Sequence, residues 1–157
     1  LLQILERINQ NDKCTMFVVD EAHLLEPKTL TDLRVLISSI DEKLSLKILL
    51  CGQEKLSHTL KRSSHADLLH RINLQFCLRP MSRDKTCAYI DYRIKKADGQ
   101  IKIFEPAAKD LIHDYTGGVP RQVNNVATAC LLSAAARGVK IITEALVNET
   151  MSEFHLP

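Results

Sequence analysis

Two adjacent acids, Asp20 and Glu21, end the apolar run Met16-Phe17-Val18-Val19. A short continuous apolar run reads as a strand buried on both faces. Acids almost never enter a core unpaired, so this pair marks the strand's C-terminal tip, where open α/β sheets bind ligands. One acid there can hold Mg²⁺ and its neighbour can polarise an attacking water. A strand ending in a solvated acidic turn has the same pattern. Gln53 follows Gly52 at the tip of a second apolar run, Leu46 to Cys51. If the two strands are neighbours, its amide comes close to Glu21 and could hold that water; otherwise it is an ordinary turn residue.

Two arginines extend the set. Arg71 immediately precedes a third apolar stretch, Ile72 to Leu78, where a lone Arg is also compatible with a surface position. Arg121 follows Pro120 in the first turn of a helix, where the macrodipole mildly disfavours a cation. An arginine placed there points to an anionic partner, and Asp114 could serve as well as a ligand. The six histidines show no HExxH or paired metal spacing and read as structural or exposed. Neither a GxSxG nor a Cys-His signature is present. A P-loop reads GxxxxGK[ST], and none of the five glycines begins it.

The elements that must position these residues follow from periodicity. Leu1 to Asn9 has helical spacing and starts abruptly, as expected of a fragment of a longer protein. Strands are expected at Met16–Asp20, Leu46–Cys51 and Ile72–Leu78. A helix capped by Thr29 or Thr31 runs to about Ile40 and is ended by Asp41-Glu42-Lys43. A short one spans Glu54 to Lys61, with Arg62–His65 as loop. Alternating strand and helix argues for a parallel sheet. After Pro80 the pattern becomes all-helical. Ser82 caps a helix to Ala97, stopped by Gly99. Pro106 opens one to Tyr115, ended by Gly117-Gly118. Pro120 opens a long helix with Val123, Val126, Ala127, Cys130, Leu131 and Ala134 on one face, ended by Gly138. Thr143 caps a last helix to Glu153. The expected fold class is α/β followed by all-α, with an α/β part over 1–79 and a helical part over 80–157.

Composition bounds the rest. At 157 residues, 45% hydrophobic and 25% charged, the chain has the length of one ordinary globular domain, or of one and a small appendage. Aromatics are scarce at 4%, which argues against an aromatic stacking platform for nucleic acid. No apolar run is long enough to span a membrane. The five cysteines are odd in number and form no CxxC, so reduced, mostly buried thiols in a cytoplasmic protein are expected. Between Lys55 and Lys96, ten Lys/Arg stand against three acids, giving +7 and leaving −5 for the rest of a chain at +2. That segment could face phosphates of a nucleotide or nucleic acid, or be a solvated face.

Taken together, the motifs resemble those of the AAA+ ATPases. Val18-Val19-Asp20-Glu21-Ala22-His23 looks like a Walker B strand. Leu50-Cys51-Gly52-Gln53 resembles the sensor 1 strand of general secretion pathway protein A and the ATP-binding helper proteins of transposons, which typically read VGQPEL; the proline is absent here. Leu69-His70-Arg71-Ile72 is similar to their QRI segment, and Tyr115 to Asn124 to their GGIPRxIN lid motif. The run Asn124 to Ala135 resembles the transposon helpers more closely.

The resemblance implies a partial AAA+ parallel sheet core with a C-terminal helical lid. It implies ATP and Mg²⁺ as cofactors, with Asp20 supporting Mg²⁺ through water, Glu21 activating water and Gln53 orienting it. Arg121 would be the sensor 2 arginine on the γ-phosphate, and Arg71 the arginine finger acting on a neighbouring subunit in a homo-oligomeric ring or filament. Implied partners are DNA and a transposase or integrase, or else secretion-system proteins. The implied activity is ATP hydrolysis by an oligomeric motor or switch, as a transposition helper or a secretion ATPase. A non-catalytic DNA- or partner-binding module is the other reading. The family's P-loop, first strand and second strand have no counterpart here, so the chain alone is expected to bind ATP negligibly. In the family order 2-3-4-1-5, the strands at Met16–Asp20 and Leu46–Cys51 pair, and that at Ile72–Leu78 loses its neighbour. DEAD/DEAH helicases share Asp20 to His23, but they carry a Ser-Ala-Thr motif where this chain has Cys51-Gly52-Gln53.

Overall fold

A computed structural model describes residues 15–39 and 46–153. The helical pattern at Leu1–Asn9, the expected stop at Asp41–Lys43, Cys14 and His155 lie outside these residues. Contacts divide the chain into two compact units, Leu1–Phe76 and Cys77–Pro157.

In the first unit, β1 (Thr15–Val19) and β2 (Leu46–Leu50) pair in parallel, with Thr15 opposite Leu46 and Val19 opposite Leu50. Between them runs α1 (Pro27–Ser39). Its first residue is Pro27, whose fixed φ suits the first helical turn. Neither threonine caps it: Thr31 lies inside the helix and donates its hydroxyl to the Pro27 carbonyl at 3.1 Å. After β2 come α2 (Glu54–Leu60), a 3₁₀ turn at Ser63–His65 where a plain loop was expected, and the single turn α3 (Ala66–Leu69). Ala22, Leu30, Leu56, Leu60 and Leu68 form the buried core, with Val19, Leu50 and Ile72 packed against it.

Two expectations fail in this unit. β1 is not buried on both faces, for Met16, Phe17 and Val18 are all exposed. A fully buried strand needs sheet neighbours and a layer over each face, and β1 has β2 alone as its strand neighbour among the described residues. The segment Ile72–Leu78 forms no strand. Its apolar residues alternate with period two, yet Leu74, Phe76 and Leu78 are 85%, 81% and 88% exposed. Alternation prepares a strand, but only a hydrogen-bonded neighbour makes one.

The second unit is helical: α4 (Arg83–Lys96), a 3₁₀ turn at Ile101–Ile103, α5 (Pro106–Thr116), α6 (Pro120–Ala136) and α7 (Glu144–Glu153). Its core joins Ile90 and Ile94 of α4, Ala108 and Ile112 of α5, Val123, Val126, Cys130 and Ala134 of α6, and Leu146 and Val147 of α7. Ala129 replaces Leu131 on the buried face of α6; Leu131 is exposed. A single parallel bridge ties Phe104 to Ile142, through Ile142 N–H to the Ile103 carbonyl at 2.7 Å and Glu105 N–H to the Ile142 carbonyl at 3.0 Å.

The helix ends use varied chemistry. Ser82 precedes α4 but makes no side-chain cap. Thr143 does cap α7, accepting the Leu146 N–H at 3.4 Å. Beyond α4 the left-handed residue is Asp98, at φ 55, rather than Gly99. Gly99 is instead packed close to Ile94, where a Cβ would meet the Ile94 side chain at 2.9 Å. Among the four described cysteines only Cys130 is buried, and Cys77 is exposed because it lies in the unpaired extended segment. Burial pushes the Cys130 thiol up to about 11. No helix among the described residues is long and apolar enough to cross a membrane.

Candidate functional site

The parallel register brings the tips of β1 and β2 together. Beyond the paired residues the ladder continues, with Cys51 N–H donating to the Val19 carbonyl and Ala22 N–H to the Cys51 carbonyl, both at 2.8 Å. Asp20 and Glu21 therefore emerge beside Gly52 and Gln53. Glu21 takes the left-handed conformation at φ 51, ψ 32. It is held there in part by the Asp20 carboxylate, whose Oδ1 accepts the Glu21 N–H at 2.8 Å. The chain then turns through a 3₁₀ turn at Ala22–Leu24, whose Ala22 is buried.

Both acids are exposed, as is Gln53. Gln53 stands at the start of α2 with extended backbone and makes no side-chain cap, which leaves its amide free of the helix. Among the described residues no group of three or more metal-ligating side chains exists. Mg²⁺ typically keeps several waters and takes one or two carboxylates together with phosphate oxygens. An exposed Asp20 with one oxygen engaged by a backbone N–H fits that requirement, and a cage of protein ligands is not needed.

Sequence reasoning missed His23. It was grouped with the structural histidines, yet its Nδ1 lies 3.3 Å from the Gln53 backbone N and 3.5 Å from Glu21 Oε2. The signal available was its place in the turn after the acid pair. What the sequence cannot supply is the link across 30 residues, which only the β1–β2 register makes. His65, by contrast, is buried, and His113 Nδ1 pairs with the Thr86 hydroxyl at 2.9 Å; these are structural.

Arg71 lies just past α3, its N–H donating to the Leu68 carbonyl at 3.0 Å. Its guanidinium is exposed and pairs with none of the described residues. In the second unit Arg121 occupies the first turn of α6 after Pro120, also exposed and without an ion pair among the described residues. Asp114 does not serve it: Arg83 grips both Asp114 oxygens and also the Asp110 carbonyl at 3.0 Å. The hydrogen bond from Arg83 holds the Asp114 carboxyl below the usual carboxylate range.

The approach to Arg121 requires its glycines. Gly117 and Gly118 have φ of 56 and 76. A Cβ at Gly118 would fall 2.0 Å from the Met81 carbonyl oxygen, and the Gly118 carbonyl accepts the Met81 N–H at 2.9 Å. A residue with a side chain is excluded there by both conformation and space. An apolar cavity of about 310 Å³ lies between α4, α6 and Phe104; none of the five candidates lines it.

No family model matches the chain. In sequence it is 35% identical over 127 residues to general secretion pathway protein A of Aeromonas hydrophila, a match that covers 80% of this chain and 23% of that protein. In fold it is similar to the Thermotoga maritima RuvB Holliday junction branch migration motor, with a TM-score of 0.75, 16% identity, and coverage of 99% of this chain and 49% of that one. A variant of the same RuvB superposes with a TM-score of 0.76 at 16% identity, covering 99% of this chain and 50% of the other. The chain thus spans less than a quarter of its curated relative and about half of these motors. The chain therefore has a RuvB-like fold and carries a sequence similar to general secretion pathway protein A.

Proposed function

We propose that this chain supplies the water-activating half of an ATPase site in a longer AAA+ protein. The observation that carries the reading is the meeting of Glu21 and Gln53 at the tips of two adjacent parallel strands, consecutive in sequence and joined through the turn at Ala22–His23. Phosphoryl transfer to water needs an oriented nucleophile, a metal and positive charge around the transferring group. Glu21 is the base and Gln53 orients the water. Asp20 supports Mg²⁺ through water, and the metal neutralises charge developing on the phosphates. Arg121 contacts the γ-phosphate, and Arg71 reaches the site of a neighbouring subunit in a homo-oligomer. No phosphate cradle lies in this sequence, so the chain alone binds ATP negligibly and is inactive.

Glu21→Gln in the longer protein tests the reading. It keeps shape and hydrogen bonding but removes the base, so turnover falls at least ~10²-fold while nucleotide affinity is retained. Unchanged turnover removes Glu21 as the base.

Two readings of the cellular role have separate support. The 35% match to general secretion pathway protein A favours an ATPase serving secretion assembly. The run Asn124 to Ala135 supports a transposition helper that acts with DNA and a transposase.

A further inference from the structure

His23 takes none of the roles assigned above, yet its ring lies where the two strand tips meet. Its side chain is 7% exposed. The turn that carries it is docked on the next strand through Ala22 N–H and the Cys51 carbonyl. The approach is close enough to restrict position 52: a Cβ on Gly52 would stand 3.1 Å from the His23 backbone N and 3.1 Å from the Leu56 side chain.

The ring nitrogen that faces this junction has one lone pair to offer. Nδ1 accepts the Gln53 N–H at 3.3 Å, so the ring hydrogen is assigned to Nε2. Glu21 Oε2, 3.5 Å from the same nitrogen, receives no hydrogen bond from it. The arrangement ties down the Gln53 backbone and leaves the Glu21 carboxylate its lone pairs for water.

We propose that His23 is a positioning residue: by anchoring the Gln53 backbone it sets the separation between the Gln53 amide and the Glu21 carboxylate. The proposal rests on the ATPase reading of those two residues. A ring that merely fills space needs volume, whereas an anchor needs an acceptor where Nδ1 now stands. Asparagine offers the acceptor with less volume, and phenylalanine offers volume with no acceptor.

The two substitutions therefore separate the roles. In this chain, amide hydrogen exchange of Gln53 followed by NMR stays slow in the parent sequence and in His23→Asn, and quickens at least ~10-fold in His23→Phe. In the longer protein, His23→Phe lowers kcat for ATP roughly 10- to 100-fold with KM little changed, and His23→Asn retains most of kcat. Gln53 exchange that ignores His23→Phe overturns the anchor. Equal kcat in the two variants overturns the positioning role. Glu21→Gln measured alongside reports separately on the ATPase reading: turnover that survives it sinks that reading and the positioning role with it, while the exchange data still decide whether His23 holds Gln53.

Discussion

The helical unit closes on itself and the α/β unit does not. In the former, twelve buried residues join four helices and the Phe104–Ile142 bridge into one core. In the latter, five buried residues form the core while Met16, Phe17, Val18, Leu49, Leu74 and Phe76 remain exposed. The difference follows from how each element satisfies its backbone. A helix pairs its N–H and C=O groups within itself and needs company only for its apolar stripe. A strand needs other strands for its hydrogen bonds, and those come from anywhere in the chain. The acid pair and Gln53 sit on the unit whose two-stranded sheet leaves apolar side chains exposed.

That contrast can be broken first in the cores. Ile112 is fully buried, so Ile112→Ala costs about 2–5 kcal/mol. Val18 is a similar side chain on the open sheet, and Val18→Ala changes stability by no more than about 0.5 kcal/mol. Urea unfolding of the two variants measures both. A comparable loss at the two positions would mean that β1 is covered in solution.

Exposed strand-patterned segments invite pairing between chains. Replacing Leu74 and Phe76 with serine is expected to lower concentration-dependent self-association, read by light scattering, while leaving the unfolding midpoint nearly unchanged. Unaltered scattering would assign any association to another surface.

The smallest effect is on the closed unit. The Asp114 carboxyl lies below its ordinary value because Arg83 hydrogen-bonds it. A depressed carboxylate stabilises the folded form fully above its unfolded value of about 3.9, and the contribution is lost as pH falls through the folded value. Asp114→Asn therefore lowers stability slightly at neutral pH, and its difference from the parent shrinks as pH falls below about 4, which flattens the acid limb. An acid limb identical in both proteins would show the pair to be without consequence.

How much of this was legible beforehand tracks the same physics. Pro106, Pro120, Gly117-Gly118 and Gly138 marked helix boundaries because their effects are local. Thr31 and Ser82 misled because a capping residue type does not ensure a cap, and Pro27 and Asp98 did the work in ways that composition does not announce. Ile72–Leu78 had a strand's alternation and became none, since pairing is decided elsewhere. Asp20, Glu21 and Gln53 were visible as strand-tip residues. His23 was not, because its partners are Glu21 across the turn and Gln53 across the sheet.

Glu21 also carries a conflict that its carboxylate alone does not reveal. Its backbone lies at φ 51, a conformation that costs an ordinary L residue about 1–2 kcal/mol and a glycine almost nothing. Any search for hardier versions of this protein, scored on heat resistance, would be drawn toward glycine or asparagine at position 21. The variants it rewarded would last longer and, on the proposed reading, do nothing.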